Sequence, residues 1–275
     1  SGANLTGANL SRTFLTKSNL SGAFLNWANL SFVKLSEGEL TDADLTKANL
    51  NGAFMVKSNL TKAKLSGANL TGVNLRGANL EKSNLCGANL QGINLRGANL
   101  NGANLNWANL SGARLSGATL YGTFLNGVNL SEAFLNGVDL NGVDLNGANL
   151  SEAKLSGTQL QVANLAASNL SEAQMRGVNL MEADLTGADL TRASLKKANL
   201  KWANLTKADL REANLSEANL LGAKIDGAEF TGVTMPDATR RYLCAIAKGS
   251  TAWTCQETKA TLNCAPNFAI QAVVN

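Results

Sequence analysis

The chain has 275 residues with 4 Cys, 4 Trp, 2 Tyr, 8 Phe and no His, and its net charge is +4. The absence of His excludes Ser/His/Asp and Cys/His nucleophiles as well as histidine-based metal sites. At 45% hydrophobic and 16% charged the chain carries enough apolar material for a core, which leucine must fill because aromatics are few. No run reaches the roughly 18 uninterrupted apolar residues of a membrane span.

From Ser1 to Met235 the chain is an unbroken series of 47 five-residue units, opening SGANL TGANL. Every position divisible by five is apolar, Leu in 42 units and Met55, Met175, Ile225, Phe230 or Met235 in the others. Two residues earlier the side chain is small, Ala in 31 units; between the two stands Asn in 24 units or Asp in six; Gly fills the second position after the centre in 24. An α-helix cannot use this pattern, because at 3.6 residues per turn a period of five carries the leucines around every face. A long strand fails too, since an odd period points successive leucines to opposite faces. The conflict resolves when each unit is one short extended side and one corner. The small residue and the leucine then face inward, Asn or Asp faces outward, and Gly sits where the corner requires positive φ. A chain that turns once per five residues closes after about four sides, so coils of about 20 residues stack on a continuous leucine column.

These units resemble the pentapeptide-repeat protein family, whose consensus A(D/N)LXX they match almost letter for letter over about 85% of the chain. The resemblance implies an all-β fold: a right-handed quadrilateral parallel β-helix of nearly 12 coils over residues 1–235, roughly 55 Å long at ~4.8 Å per layer. A small α-helical C-terminal cap over residues 236–275 would follow. Some members of the family act as mimics of the double helix that occupy type II topoisomerases. Mimicry needs a strongly acidic surface, and this chain has 24 basic against 20 acidic residues.

In such a coil, residues 20 apart stack, and surface columns can be read from residue numbers. Asn9, Asn29, Asn49, Asn69, Asn89, Asn109, Asn129, Asn149 and Asn169 form an amide ladder able to bond along the stack. Glu132, Glu152 and Glu172 stack three carboxylates with Arg192 next; on convex corners without an inserted loop they read as a solvated charge row, not an acid/base pair. Arg76 over Arg96 and Arg176 over Lys196 gather base on one side, but Glu81, Glu182 and Glu217 interrupt it, which disfavours nucleic acid. No phosphate-loop, dinucleotide or calcium motif is present, so no enzyme activity, cofactor or metal is expected. Outward aromatics are the unusual feature. Phe14, Phe24 and Phe54 in the Asn slot, with Trp27 and Phe32 in the Gly slot, all fall in the first three coils.

After Met235 the register stops, and PDATRRYLCAIAKG reads as a short helix ended by Gly249. A second helix is expected from Thr254, where Thr254 and Glu257 have capping-box spacing, ending at Pro266, with the apolar Asn267 to Asn275 packing back on the rod. Cys86 lies about seven coils from the tail, out of reach of its cysteines given the ~7 Å Cα limit for a bridge. Cys255 and Cys264 would flank one helix, so a disulfide would join Cys244 to Cys264 or to Cys255; the alternative is three reduced thiols.

The expected function is non-catalytic: a rigid rod presenting a surface to another protein, its interaction residues being Phe14, Phe24, Trp27, Phe32 and Phe54. With nothing before Ser1, Leu5, Leu10, Leu15 and Leu20 would be exposed, so a homodimer through the N-terminal coil is the homotypic form of that expectation. The alternative is a topoisomerase-directed DNA mimic. A tail disulfide would place the protein in the periplasm or thylakoid lumen, and reduced thiols would place it in the cytoplasm.

Overall fold

Each five-residue unit has five backbone N–H groups, and where they go determines the architecture. The computed structural model describes residues 1–264. In the unit around Leu65, the Leu65 N–H donates to the Asn84 carbonyl at 2.7 Å and the Gly67 N–H to the Cys86 carbonyl at 3.1 Å, both one level up. The Asn69 N–H donates one level down, to the Ala48 carbonyl at 2.9 Å. The Ala68 N–H closes a turn onto the Leu65 carbonyl at 3.0 Å. That leaves the first corner residue, and in the next unit the Thr71 N–H donates to the Asn69 side-chain Oδ1 at 3.1 Å. The Asn slot is therefore an Asx-turn that takes up the one donor the stack cannot reach.

The resulting contacts join residue i to residue i+20 in parallel, four times per level at all but one level, beginning Asn4 to Phe24 and ending Asn214 to Thr234. Only one residue per side makes a bridge, so no continuous strand forms; the extended sides foreseen from the sequence are reduced to single rungs between corners. At every second corner position φ is positive, from Ala167 at 54° to Gly222 and Gly232 at 74°, whether or not the residue is Gly. With a negative φ before it and the bond to the preceding Leu carbonyl, each corner is a type II turn. Left-handed backbone costs non-Gly residues about 1 kcal/mol each, so Arg12, Lys47, Trp107 and their like are held there by the neighbouring levels.

The core is a single column of leucine and alanine from Ala23 upward, nearly all fully buried. Leu5, Leu10, Leu15 and Leu20, expected to be exposed, are half-buried because each packs on the coil above.

Helix α1, Asp237–Ile246, starts directly after Pro236 and lays Leu243 and Cys244 against the column. The Tyr242 hydroxyl accepts the Gly222 N–H at 2.9 Å, and the Lys248 carbonyl accepts the Gly227 N–H at 2.9 Å, so the tail takes up donors that the repeat leaves open at this end. The second helix differs from expectation. It is only the four-residue α2, Thr258–Thr261, and residues 250–257 form a tight reversal with an antiparallel bridge from Ser250 to Glu257. Thr254 does not cap it: it lies inside the reversal, three residues before the residue that precedes the helix, and its hydroxyl donates to the buried Glu229 carboxylate. The expected ending at Pro266 and the packing of Asn267 to Asn275 lie outside the described residues.

Candidate interaction surfaces

The coil register divides the five outward aromatics. Phe14 and Phe54 share one column with Lys34 between them, and Phe32 occupies the corner before that side. Phe24 belongs to the opposite side, and Trp27 to the corner that follows it. Each group carries its own cations: Lys34 Nζ stands 3.3 Å from the Phe54 ring centre and Arg12 5.7 Å from that of Phe32, whereas Lys47 Nζ stands 4.5 Å from Trp27. Phe14 is the most open, at 83% exposed.

Corner aromatics also have a structural role that sequence reasoning missed. A Cβ placed on Gly127 would lie 2.3 Å from the Trp107 ring, one on Gly222 2.1 Å from Trp202, and one on Gly52 2.6 Å from Phe32. Each ring stands against the glycine one level above it. The signal was present in the spacing: an aromatic in the corner slot with Gly 20 residues on.

Two charged columns are neutralised toward the C-terminal end of the repeats. Arg192 sits between Glu212 at 2.9 Å and Glu172 at 3.5 Å, whose hydrogen bonds, Glu212's first, raise its pKa above the ordinary guanidinium value. Lys196 and Lys197 each lie 3.3 Å from Glu217 and hold its carboxyl below the usual range. Of the amide ladder, Asn49 to Asn29, Asn69 to Asn49, Asn109 to Asn89, Asn129 to Asn109 and Asn149 to Asn129 are bonded, at 3.1–3.5 Å.

Under the tail, Glu229 is fully buried. Burial pushes its carboxyl up, but donation from Thr231 and from the Thr254 and Thr251 hydroxyls outweighs this and holds its pKa below normal. Cys244 is joined to Cys264 with Cα atoms 5.7 Å apart, leaving Cys255 exposed and Cys86 half-buried as free thiols. No group of three or more metal-ligating side chains occurs among the described residues, and no described helix is long and apolar enough to cross a membrane.

Residues 1–37, 39–77, 78–117, 108–147, 125–161, 158–196 and 193–232 match the pentapeptide repeats, in 8 copies. The chain belongs to the pentapeptide-repeat family. Among solved pentapeptide-repeat structures it is similar to HetL, involved in heterocyst differentiation regulation in the cyanobacterium Nostoc sp. strain PCC 7120. Identity there is 33% over 86% of this chain and 90% of that one, with a TM-score of 0.27. A pentapeptide repeat protein from the Arabidopsis thaliana thylakoid lumen is 38% identical over 47% of this chain and 90% of its own, with a TM-score of 0.31. Rfr23, from the cyanobacterium Cyanothece 51142, is 32% identical over 44% of this chain and 87% of its own, with a TM-score of 0.26. None of the curated proteins matches.

Proposed function

We propose that this pentapeptide-repeat chain is a non-catalytic scaffold whose side faces bind another protein. The observation that carries the reading is the group Phe14, Phe32 and Phe54, three exposed rings on one face and its corner, of which Phe32 is paired with Arg12 and Phe54 with Lys34. Aromatic and Arg side chains bury large area at small entropic cost, and interface cores are enriched in them. Residues 1–235 act as the rod, wound in the right-handed sense favoured for parallel connections, in nearly 12 coils. Residues 236–275 act as its cap. The Cys244–Cys264 bridge supports an oxidising compartment, the periplasm or thylakoid lumen.

The rival reading, a double-helix mimic directed at a type II topoisomerase, requires a continuous acidic stripe. Interleaving of Arg192 with Glu172 and Glu212, and of Lys196 and Lys197 with Glu217, argues against it.

The test compares the unmodified chain with a Phe14→Ser, Phe54→Ser variant as bait against extract of the native organism. Partners lost with the variant support the face, and an identical set of captured proteins overturns it. Light scattering at about 100 μM distinguishes a self-associating pair from a partner of different sequence.

A further inference from the structure

The stacking ladder lapses at one level. Bridges run without a gap from Asn4 to Thr234 except between Thr119 and Asp139 and between Phe124 and Asp144, two consecutive sides of the same coil. There the N–H groups of Leu120, Gly122 and Leu125 on the lower coil and of Asp139 and Asp144 on the upper one have no partner among the described residues. The carbonyls of Ala118, Thr123, Asp139 and Asp144 are likewise open. The two corner donors between them turn away, Tyr121 N–H to Asn101 Oδ1 and Asn126 N–H to Asn106 Oδ1, both at 2.9 Å. A cleft of about 420 Å³ opens here, lined by Thr119, Leu120, Tyr121, Asp139, Leu140 and Asn141. That volume falls within the roughly 300–1,000 Å³ usual for binding clefts.

The same stretch is distinct in charge. Leu115 to Ala153, 39 residues, contains no Lys or Arg and four carboxylates, Glu132, Asp139, Asp144 and Glu152, in a chain of net charge +4. Among the described residues neither Asp139 nor Asp144 forms an ion pair. Tyr121 is 87% exposed and Phe124 58%, and no side chain stands over Gly122, Gly137 or Gly142.

We infer that this breach is a docking site for an extended, Lys- or Arg-bearing segment of a partner protein, seated by strand addition on the open ladder. Unpaired rungs are the groups an extended backbone satisfies, and main-chain bonds of this kind supply affinity while alternate side chains supply specificity. Apolar side chains of the segment would cover the edges that Leu120 and Leu140, 6% and 2% exposed, show at the cleft. Its cations would meet Asp139 and Asp144, with the Tyr121 and Phe124 faces alongside. An acidic segment or a nucleic acid would meet like charge. The site goes beyond the aromatic face proposed above, uses different coils, and either can fail alone.

The probe is a fluorescein-labelled decapeptide of alternating Lys and Val, added to the full chain and followed by anisotropy and by amide hydrogen exchange. In the free protein the amides of Leu120, Gly122, Leu125, Asp139 and Asp144 should exchange at least about tenfold faster than those of Leu80, Leu100 and Leu160, and slow when peptide binds. Asp139→Asn with Asp144→Asn, which keeps both Asx acceptors, should weaken binding by at least about tenfold. A Lys/Val peptide N-methylated at alternate residues and a Glu/Val peptide should not bind. Slow exchange in the free protein, no binding up to about 1 mM, undiminished binding by the Asn variant, or equal binding of either control peptide overturns the proposal.

Discussion

Replacing Asn69 by Ala tests whether the outward Asn closes the backbone hydrogen bonding of each unit. Asn69 Oδ1 accepts the Thr71 N–H at 3.1 Å and the Thr71 hydroxyl at 2.7 Å, and its Nδ2 donates to Asn49 Oδ1 at 3.3 Å. Losing the Asx acceptor resembles losing a helix N-cap, about 1 kcal/mol, and the half-exposed amide bond adds about 0.5 kcal/mol. The sum, about 1.5 kcal/mol, corresponds to a Tm drop of about 3–5 °C for a chain of this size. Asn69→Asp keeps the acceptor and removes only the donor, so it should cost about 0.5 kcal/mol. Lys64→Ala, in the same slot on another side but without an Asx bond, should stay within about 0.5 kcal/mol. Denaturant melts followed by circular dichroism give the three values, and hydrogen exchange at Thr71 localises the effect. If Asn69→Ala is neutral, or Asn69→Asp is as costly as Asn69→Ala, the role assigned to the Asn slot is wrong.

Gly127→Ala should cost more than the about 1 kcal/mol of left-handed strain, because its Cβ would lie 2.3 Å from the Trp107 ring; Trp107 fluorescence should shift to the red, and an unshifted spectrum would count against the stacking. Glu229 contributes stability above its unfolded-state value near 4.5, because its folded pKa is lowered, and loses it as pH falls through the folded value. Melting temperature should therefore fall below about pH 4.5 in the unmodified chain and much less in Glu229→Gln, whereas parallel pH profiles would remove Glu229 from that account. Free-thiol counting on unfolded protein isolated without reductant should find Cys86 and Cys255 only, and Cys244→Ser should weaken the tail by about 3 kcal/mol, read by exchange in α1. Four reactive thiols would refute the bridge.

The period of five, with Leu at every fifth position and a small residue two before it, was enough to derive a four-sided coil. One turn per five residues places all those side chains inside and stacks residue i on residue i+20, so local pattern and coil register agree. Column membership followed from residue numbers for the same reason, and with it the neighbourhood of Arg192, although the five outward aromatics, grouped as one surface, fall on two sides of the coil with Phe24 opposite Phe14. The tail has no such redundancy. Thr254 and Glu257 have the spacing of a capping box, but residues 250–257 close into a reversal in which Thr251 N–H bonds the Gln256 carbonyl and Thr258 N–H the Gly249 carbonyl, so no helix starts at Thr254, and its hydroxyl donates to the buried Glu229 carboxylate. Nor was the choice of Cys264 over Cys255 legible, since it depends on where the reversal at 250–257 carries each sulfur. The breach above Thr119 is the clearest case of tertiary decision. Val138 and Val143 enlarge the small slot over Ala118 and Thr123, yet Ile93 stacks over Val73 with the Asn94 N–H still 3.0 Å from the Val73 carbonyl. Bulk at one position therefore does not settle whether a level opens; the fit of two whole coils does, because packing between levels is shared by every side chain in the layer.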